Sequence, residues 1–248
     1  MTKPLQDKVV MVTGASSGIG AATIAALLDV GARVIAVARR IDRLQALQKE
    51  LGVGDDRVLP VKCDIRDEQQ AQTLMNQALE WGGSLDGLIN NAGLSRGGLL
   101  EKTQVDDLRV MLDTNIFALA NLTRLATPEL KKAQGTLINI SSSVVHALIP
   151  GSAVYSASKA AVAAFSEVMR KELCASNARV VTIYPGMVDT EFFDGITDEK
   201  KKQSFDKLKE SIDALQAEDI AEVILFALSQ PGRVSLNEIV VRPTRQPI

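Results

Sequence analysis

The sequence predicts a single α/β domain built as a doubly wound parallel sheet of about seven strands, and three observations carry that prediction. Short β-branched runs alternate with longer amphipathic stretches along all 248 residues. Most of the short runs are continuously apolar rather than alternating, as in parallel strands covered on both faces. No linker, repeat or low-complexity block divides the chain, and α/β folds of about 200–250 residues often form one domain.

The strands expected in order are Val9–Thr13, Val34–Ala38, Val58–Cys63, Leu85–Asn90, Thr136–Ile140, Val180–Tyr184 and Glu238–Val241. Helical patterns lie between them near Ile19–Val30, Arg43–Leu51, Glu68–Trp81, Val105–Lys132, Ala157–Leu173 and Ala217–Leu228. This alternation gives right-handed crossovers and hence the doubly wound sheet. One stretch breaks the rhythm: after Tyr184-Pro185-Gly186 the chain passes Thr190, Phe192, Phe193 and Gly195 into the charged run Thr197–Glu210. Ligands of open α/β sheets bind at the carboxyl ends of strands, and this insertion follows such an end, so residues 187–214 read as a substrate lid. Lys200-Lys201-Lys202 within it reads as a solvated helix face.

Composition narrows the class. Apolar residues make up 46% and charged residues 23%, with 28 Lys plus Arg against 30 Asp plus Glu, a net charge of −2. That excludes a disordered or collagenous chain, and the lack of a dominant basic block argues against nucleic acid. Six Phe, two Tyr and one Trp are too few for a base-stacking platform. No run approaches the roughly 18 apolar residues of a membrane span, and Val9–Val12 is too short for a signal-peptide core, so no membrane partner and a cytoplasmic location are expected. Cys63 and Cys174 make neither a disulfide framework nor a metal-ligand spacing and read as reduced structural thiols. His146 is the only histidine and reads as a loop residue, so no metal is expected.

Thr13-Gly14-Ala15-Ser16-Ser17-Gly18-Ile19-Gly20 follows the first strand and opens the first helix. Glycines allow a sharp turn and a close approach by a diphosphate, while free N–H groups and the helix dipole favour the anion. The spacing G-x-x-x-G-x-G is also compatible with a plain strand–helix turn. The end of the second strand sharpens the reading: Val37-Ala38-Arg39-Arg40 carries no carboxylate. An acid there binds the ribose 2′-hydroxyl of NAD, whereas guanidinium groups pair with a 2′-phosphate, so Arg39 and Arg40, helped by Ser16 and Ser17, favour NADP(H).

Tyr155-Ser156-Ala157-Ser158-Lys159 puts a phenol and an ammonium at i and i+4, on one face if helical. A phenol titrates near pH 10, and a neighbouring cation brings it toward working pH. Alone, such a pair occurs in many helices.

Taken together, Thr13–Gly20, Asn90-Asn91-Ala92-Gly93, Asn115, Ser141–Ser143, Tyr155-x-x-x-Lys159 and Pro185-Gly186-x-Val188-x-Thr190 resemble the short-chain dehydrogenase/reductase family over essentially the full length. The resemblance implies a Rossmann-type fold and a tetrad of Asn115, Ser142, Tyr155 and Lys159. It makes Tyr155 the general acid/base and Ser142 the group that polarises the carbonyl. Lys159 would hold the nicotinamide ribose and lower the Tyr155 pKa, while Asn115 positions a water in a proton relay. Ser142 stands thirteen positions before Tyr155 as the family usually has it, with Ser143 second; alternation along an extended segment turns Ser141 and Ser143 elsewhere. By the same resemblance Asp64 meets the adenine edge, and Asn91, Ala92 and Gly93 line the cofactor cleft. Val188 and Thr190 contact the nicotinamide carboxamide beside Pro185 and Gly186.

The substrate is expected to be a small or medium, partly apolar carbonyl or alcohol compound, bound by segments 94–100, 144–154 and 187–196. Arg96, His146 and Glu191 are polar options in those segments. The tail Ile239–Thr244 is similar to a subgroup including 3-hydroxy acid dehydrogenases and clavulanate dehydrogenase, which leaves oxidation of a 3-hydroxy acid as an alternative. A non-catalytic, NADP-sensing protein is another. Small and apolar residues at helical spacing from Ala157 to Met169, with the resemblance, imply a homodimer or homotetramer.

Overall fold

The computed structural model describes residues 5–96, 98–193 and 208–247. Strands β1 (Val9–Thr13), β2 (Arg33–Ala38), β3 (Val58–Lys62), β4 (Gly87–Asn90), β5 (Thr136–Ile140), β6 (Arg179–Pro185) and β7 (Glu238–Val241) form one sheet. Every pairing is parallel, in the order β3-β2-β1-β4-β5-β6-β7. Between them run α1 (Gly18–Asp29), α2 (Ile41–Glu50), α3 (Glu68–Gly82), α4 (Val105–Leu112), α5 (Leu119–Ala133), α6 (Ala153–Leu173) and α7 (Ala217–Leu228). This is the doubly wound, Rossmann-type single sheet that the strand–helix alternation predicts.

Alternation along each strand divides the core into two layers. Val10 and Val12 of β1 pack with Ile24 and Leu27 of α1 and Ile220 and Ile224 of α7. Val9 and Met11 face the other way, onto Leu74 of α3, Leu122 of α5 and Leu173 of α6. All five β1 residues are therefore buried, which is why the run is apolar throughout. At the edge, β7 alternates exposed Glu238 and Val240 with half-buried Ile239 and Val241.

Two helices differ from the periodicity, and both differences shape the site. The expected helix over 105–132 is interrupted: a π-helical segment, Asp113–Ala118, joins α4 to α5. A π turn inserts an extra residue per turn and occurs mostly at functional positions; here it carries the fully buried Asn115. Helix α6 begins at Ala153 rather than Ala157, so Tyr155 sits in its first turn. The early start is hidden because α6 buries polar residues, Ser156, Ser158 and Lys159, where an apolar stripe is expected.

The insertion after β6 has a fixed base. Leu215 N–H donates to Met187 O at 3.0 Å and Asp189 N–H to Leu215 O at 2.7 Å, bridging Val188 to Leu215. Half of the expected lid, residues 194–207 with Lys200–Lys202 included, lies outside the described residues. Cys63 is buried and Cys174 exposed, both free; burial pushes the Cys63 thiol up to about 11, so it stays protonated and inert. No described helix is long and apolar enough to cross a membrane.

Candidate active site

Strand order reverses between β1 and β4, and a crevice opens at their carboxyl ends. Thr13 closes its floor: Oγ1 accepts the N–H groups of Asn91 and Ala92, both at 3.1 Å. Asn91 Nδ2 returns a bond to the Thr13 carbonyl at 2.9 Å. The glycine loop is pressed against this junction. A Cβ on Gly14, whose φ is +66°, would lie 2.9 Å from Ala92 Cα, and one on Gly20 would lie 2.3 Å from the Gly14 carbonyl. No larger residue fits either position. Ser17 caps α1 without a side-chain hydrogen bond, so the first-turn N–H groups have no capping oxygen and point at the crevice with the positive helix end. This cradle fits a diphosphate.

The crevice widens beyond the loop into a cleft of about 570 Å³, lined among others by Ser16, Ser17, Arg39, Arg40 and Asp64. Arg40 Nη2 donates to Ser16 Oγ at 3.1 Å and to Ser17 Oγ at 3.0 Å, drawing three of the four groups expected at a 2′-phosphate into one cluster, with Arg39 on the same cleft wall. Arg43 stands beside it, one helical turn on, and the carboxylate of Glu191 joins both arginines. Asp64 departs from expectation. Its carboxylate accepts a bidentate pair of bonds from Arg66, which hold it below the usual carboxylate range. Its acceptor capacity is thus largely committed within the chain, and Arg66 becomes part of the adenine-side wall.

The other half is a cavity of about 400 Å³, lined by Ser142, Tyr155, Lys159, Pro185, Gly186 and Met187 among others. Ile19, Asn91, Gly93, Ser95, Thr190 and Phe192 line both halves, so they form one continuous crevice. Ser142 is extended (φ −164°, ψ 149°) where β5 runs out and lines the cavity with Tyr155, whose phenol pKa its hydroxyl lowers. Ser141 turns to the opposite side and donates to the Lys159 carbonyl at 2.9 Å, and Ser143 is buried in the following 3-10 turn. All three serines line the cavity, and Ser142 is the one whose hydroxyl bears on the Tyr155 phenol.

Lys159 is buried and donates from Nζ to the Ile140 carbonyl at 2.8 Å. Burial lowers its pKa to about 8. Burial pushes Tyr155 up to about 12, opposed by the Ser142 hydroxyl, and one of the three Lys159 N–H donors goes to the Ile140 carbonyl. Asn115 bonds both backbone groups of Leu94 at 2.9 Å and donates to Ser158 at 3.0 Å. Its Oδ1 and Lys159 Nζ flank Gly93, at 3.3 and 3.2 Å from where a Cβ would stand. Val188 is buried beside the cavity, and Thr190 lies against Gly18.

Arg96 pairs with Asp107 at 3.5 Å and lines the cofactor cleft and a small pocket beside Tyr155, while His146 packs on Tyr184 with ring centroids 5.0 Å apart; neither lines the 400 Å³ cavity. Three residues at the site escape sequence reasoning, Arg43, Arg66 and Gln246, while Glu191, expected among the polar groups of the substrate segments, sits instead on Arg40 and Arg43. Arg43 and Arg66 carry a legible signal, a third and fourth arginine near the expected cofactor end. Gln246 does not, because long-range folding brings it in; its Oε1 accepts the Met187 N–H at 2.9 Å.

The profile of the family described as short chain dehydrogenase matches residues 8–201. This chain belongs to that family. An uncharacterized oxidoreductase of Staphylococcus saprophyticus is 39% identical over 245 residues, 98% of each chain. A glycine betaine reductase of Emericella nidulans is 35% identical over 99% of this chain, which spans 19% of that longer protein. Among solved structures, the closed form of a serine dehydrogenase complexed with NADP+ superposes with a TM-score of 0.88 at 33% identity, covering 97% of this chain and 96% of the other. An alcohol dehydrogenase of Thermococcus sibiricus complexed with 5-hydroxy-NADP gives 0.84 at 27%, covering 97% and 98%. The protein is thus an oxidoreductase of the short-chain dehydrogenase type, an enzyme class acting on CH–OH and C=O groups.

Proposed function

We propose that the protein is an NADP(H)-dependent reductase interconverting a small or medium, partly apolar ketone or aldehyde with its alcohol. The observation that carries this reading is the Ser142–Tyr155 hydroxyl pair, placed where the glycine-loop cleft meets the apolar cavity. When bound, NADP(H) supplies or takes up the hydride. The cradle of Gly14, Gly18, Ile19 and Gly20 holds its diphosphate, and Ser16, Ser17, Arg39 and Arg40 hold the 2′-phosphate. Asp64 with Arg66 lines the adenine side, Asn91, Ala92 and Gly93 the middle. Pro185, Gly186, Val188 and Thr190 wall the nicotinamide end, where Lys159 and Asn115 meet Gly93. The solved relatives with NADP+ and 5-hydroxy-NADP support the cofactor.

Ser142 Oγ donates to the substrate oxygen and polarises the carbonyl. Tyr155 Oη gives that oxygen its proton in reduction and takes one back in oxidation. With its pKa at about 12 the phenol is fully protonated at neutral pH, ready to donate to a developing alkoxide whose own pKa, about 16 like that of water, makes the transfer downhill. Behind Tyr155, Asn115 and Lys159 form the inner end of a proton path.

The substrate wall supports an uncharged compound. Val144, Ala147, Ile149, Met187 and Phe192 dominate it, and Lys159 is its only charged side chain among the described residues. The second reading, oxidation of a 3-hydroxy acid, has the identity to serine dehydrogenase in its favour. The protein is further proposed to act in the cytoplasm as a homodimer or homotetramer, supported by exposed Val105, Leu112, Phe117 and Val168 on α4, the π segment and α6.

The deciding experiment is a panel of neutral ketones and aldehydes with NADPH and NADH, and of 3-hydroxy acids with NADP+. NADPH oxidation by neutral carbonyls is expected. Higher kcat/KM for the hydroxy acids would establish the second reading, and binding without turnover across the panel would make the protein an NADP sensor. Joint replacement of Arg39 and Arg40 by alanine is expected to weaken NADPH by about ten- to a hundredfold and NADH by less than about twofold. Equal weakening would refute the 2′-phosphate role.

A further inference from the structure

Three consecutive residues after β6 touch three separate parts of the crevice. Thr190 lies against the glycine loop, its Cγ2 3.0 Å from where a Cβ on Gly18 would stand. Phe192 tilts onto the Tyr155 ring with centroids 5.8 Å apart. Between them Glu191 reaches the first turn of α2. Both carboxylate oxygens accept from Arg43 Nη1, at 2.8 and 2.7 Å, and Oε2 also accepts from Arg40 Nη1 at 3.3 Å. Arg40 is meanwhile bonded to Ser16 and Ser17. The cationic cluster assigned above to the 2′-phosphate therefore already holds an anion, and that anion belongs to the chain itself.

We propose that Glu191 determines cofactor specificity: its carboxylate occupies Arg40 and Arg43 where a 2′-phosphate would sit, and so moderates the preference for NADP(H) over NAD(H). The proposal rests on the 2′-phosphate reading of that cluster. A phosphate monoester brings nearly two negative charges and three acceptor oxygens, against one charge and two oxygens for the carboxylate, so it wins the exchange. The exchange still costs the Glu191 contacts with Arg40 and Arg43, and NADP(H) binding bears that cost. NAD(H) carries no anion at this position and leaves the carboxylate in place. A carboxylate beside the adenosine ribose is also the group with which NAD sites recognise the 2′-hydroxyl. The end of β2 lacks such an acid, and Glu191 supplies one from the opposite wall of the cleft. The two kinds of recognition thus face each other across one cleft, the arginines from β2 and α2, the acid from the loop after β6. Arg43 holds the carboxylate below the usual range, so Glu191 is charged throughout the pH range in which the protein works.

The test is fluorescence titration of the full-length protein and its Glu191→Gln variant with NADPH and NADH. Competition by 2′,5′-ADP and 5′-ADP, which isolate the adenosine end, accompanies it. Glutamine keeps the shape and removes the charge at an exposed position, so folding is not at stake. The ratio Kd(NADH)/Kd(NADPH) is expected to rise about two- to fivefold, the size an exposed ion pair commands, and 2′,5′-ADP is expected to gain over 5′-ADP by the same factor. An unchanged or falling ratio overturns the proposal. The Arg39→Ala/Arg40→Ala variant, titrated alongside, separates the two readings. If it loses NADPH selectively while Glu191→Gln leaves the ratio unchanged, the 2′-phosphate site stands and the role of Glu191 falls. If it loses NADPH and NADH equally, both fall.

Discussion

Tyr155→Phe is expected to lower kcat by about a thousandfold, the middle of the range for a positioned general acid, while NADPH affinity stays within about twofold. The substitution deletes one oxygen. The ring that packs against Phe192 remains, and so does the helix turn that carries it. What disappears is the proton donor; the Ser142 hydroxyl keeps the Val144 N–H it accepts at 3.2 Å. Because proton transfer belongs to the transition state and not to ground-state binding, kcat and kcat/KM should fall together. Steady-state rates with the best carbonyl of the panel, together with NADPH titration, check both halves. Retention of normal kcat would sink the assignment of Tyr155, and with it the role of the Ser142–Tyr155 pair.

The second large effect concerns stability. Lys159 is buried as an ammonium with one hydrogen bond, and its pKa falls from 10.5 to about 8. Below pH 8 the lysine is charged in both folded and unfolded chains, and the folded state carries the full cost of burying that charge. Between pH 8 and 10.5 the folded chain loses the proton while the unfolded chain keeps it. The unfolded state then binds more protons, so the Lys159 contribution to stability rises with pH across that window. Tyr155 acts oppositely and later: raised from 10 to about 12, it makes stability fall with pH only between those values. Lys159→Met removes the lysine contribution alone. The difference in unfolding free energy, wild type minus variant, is expected to grow by roughly 3 kcal/mol from pH 8 to 10.5. Denaturant unfolding of both proteins at the two pH values measures it. The Ile140 carbonyl left without its donor shifts the variant equally at both and cancels. A constant difference would mean that the buried ammonium is not penalised, contrary to the environment described above.

Both predictions concern residues legible in the sequence, and the reasons are local. The i, i+4 spacing of Tyr155 and Lys159 needs only a helix to bring them onto one face. The Gly14–Gly20 loop needs only a strand before it and a helix after it. Continuous apolar runs such as Val9–Val12 announce strands covered on both faces, and their alternation with helices implies the parallel sheet. Helix boundaries were harder to read. The start of α6 is masked by the polar residues it buries, and the π segment around Asn115 leaves no trace in a periodicity that runs smoothly from Val105 to Lys132.

By itself, then, the sequence determined the fold class, the family resemblance, the candidate pair Tyr155 and Lys159 and the cationic character of the end of β2. Each of these depends on neighbours along the chain or on a short motif. Only the tertiary structure decided how those groups are spent. It brought the Ile140 carbonyl onto the buried Lys159 ammonium. It left Arg96 to Asp107 and placed Glu191 on Arg40 and Arg43, 151 and 148 residues away. The physical reason is that a charged side chain binds the strongest partner within reach. Reach is set by where the sheet and its crossovers bring distant segments together, which no local pattern records.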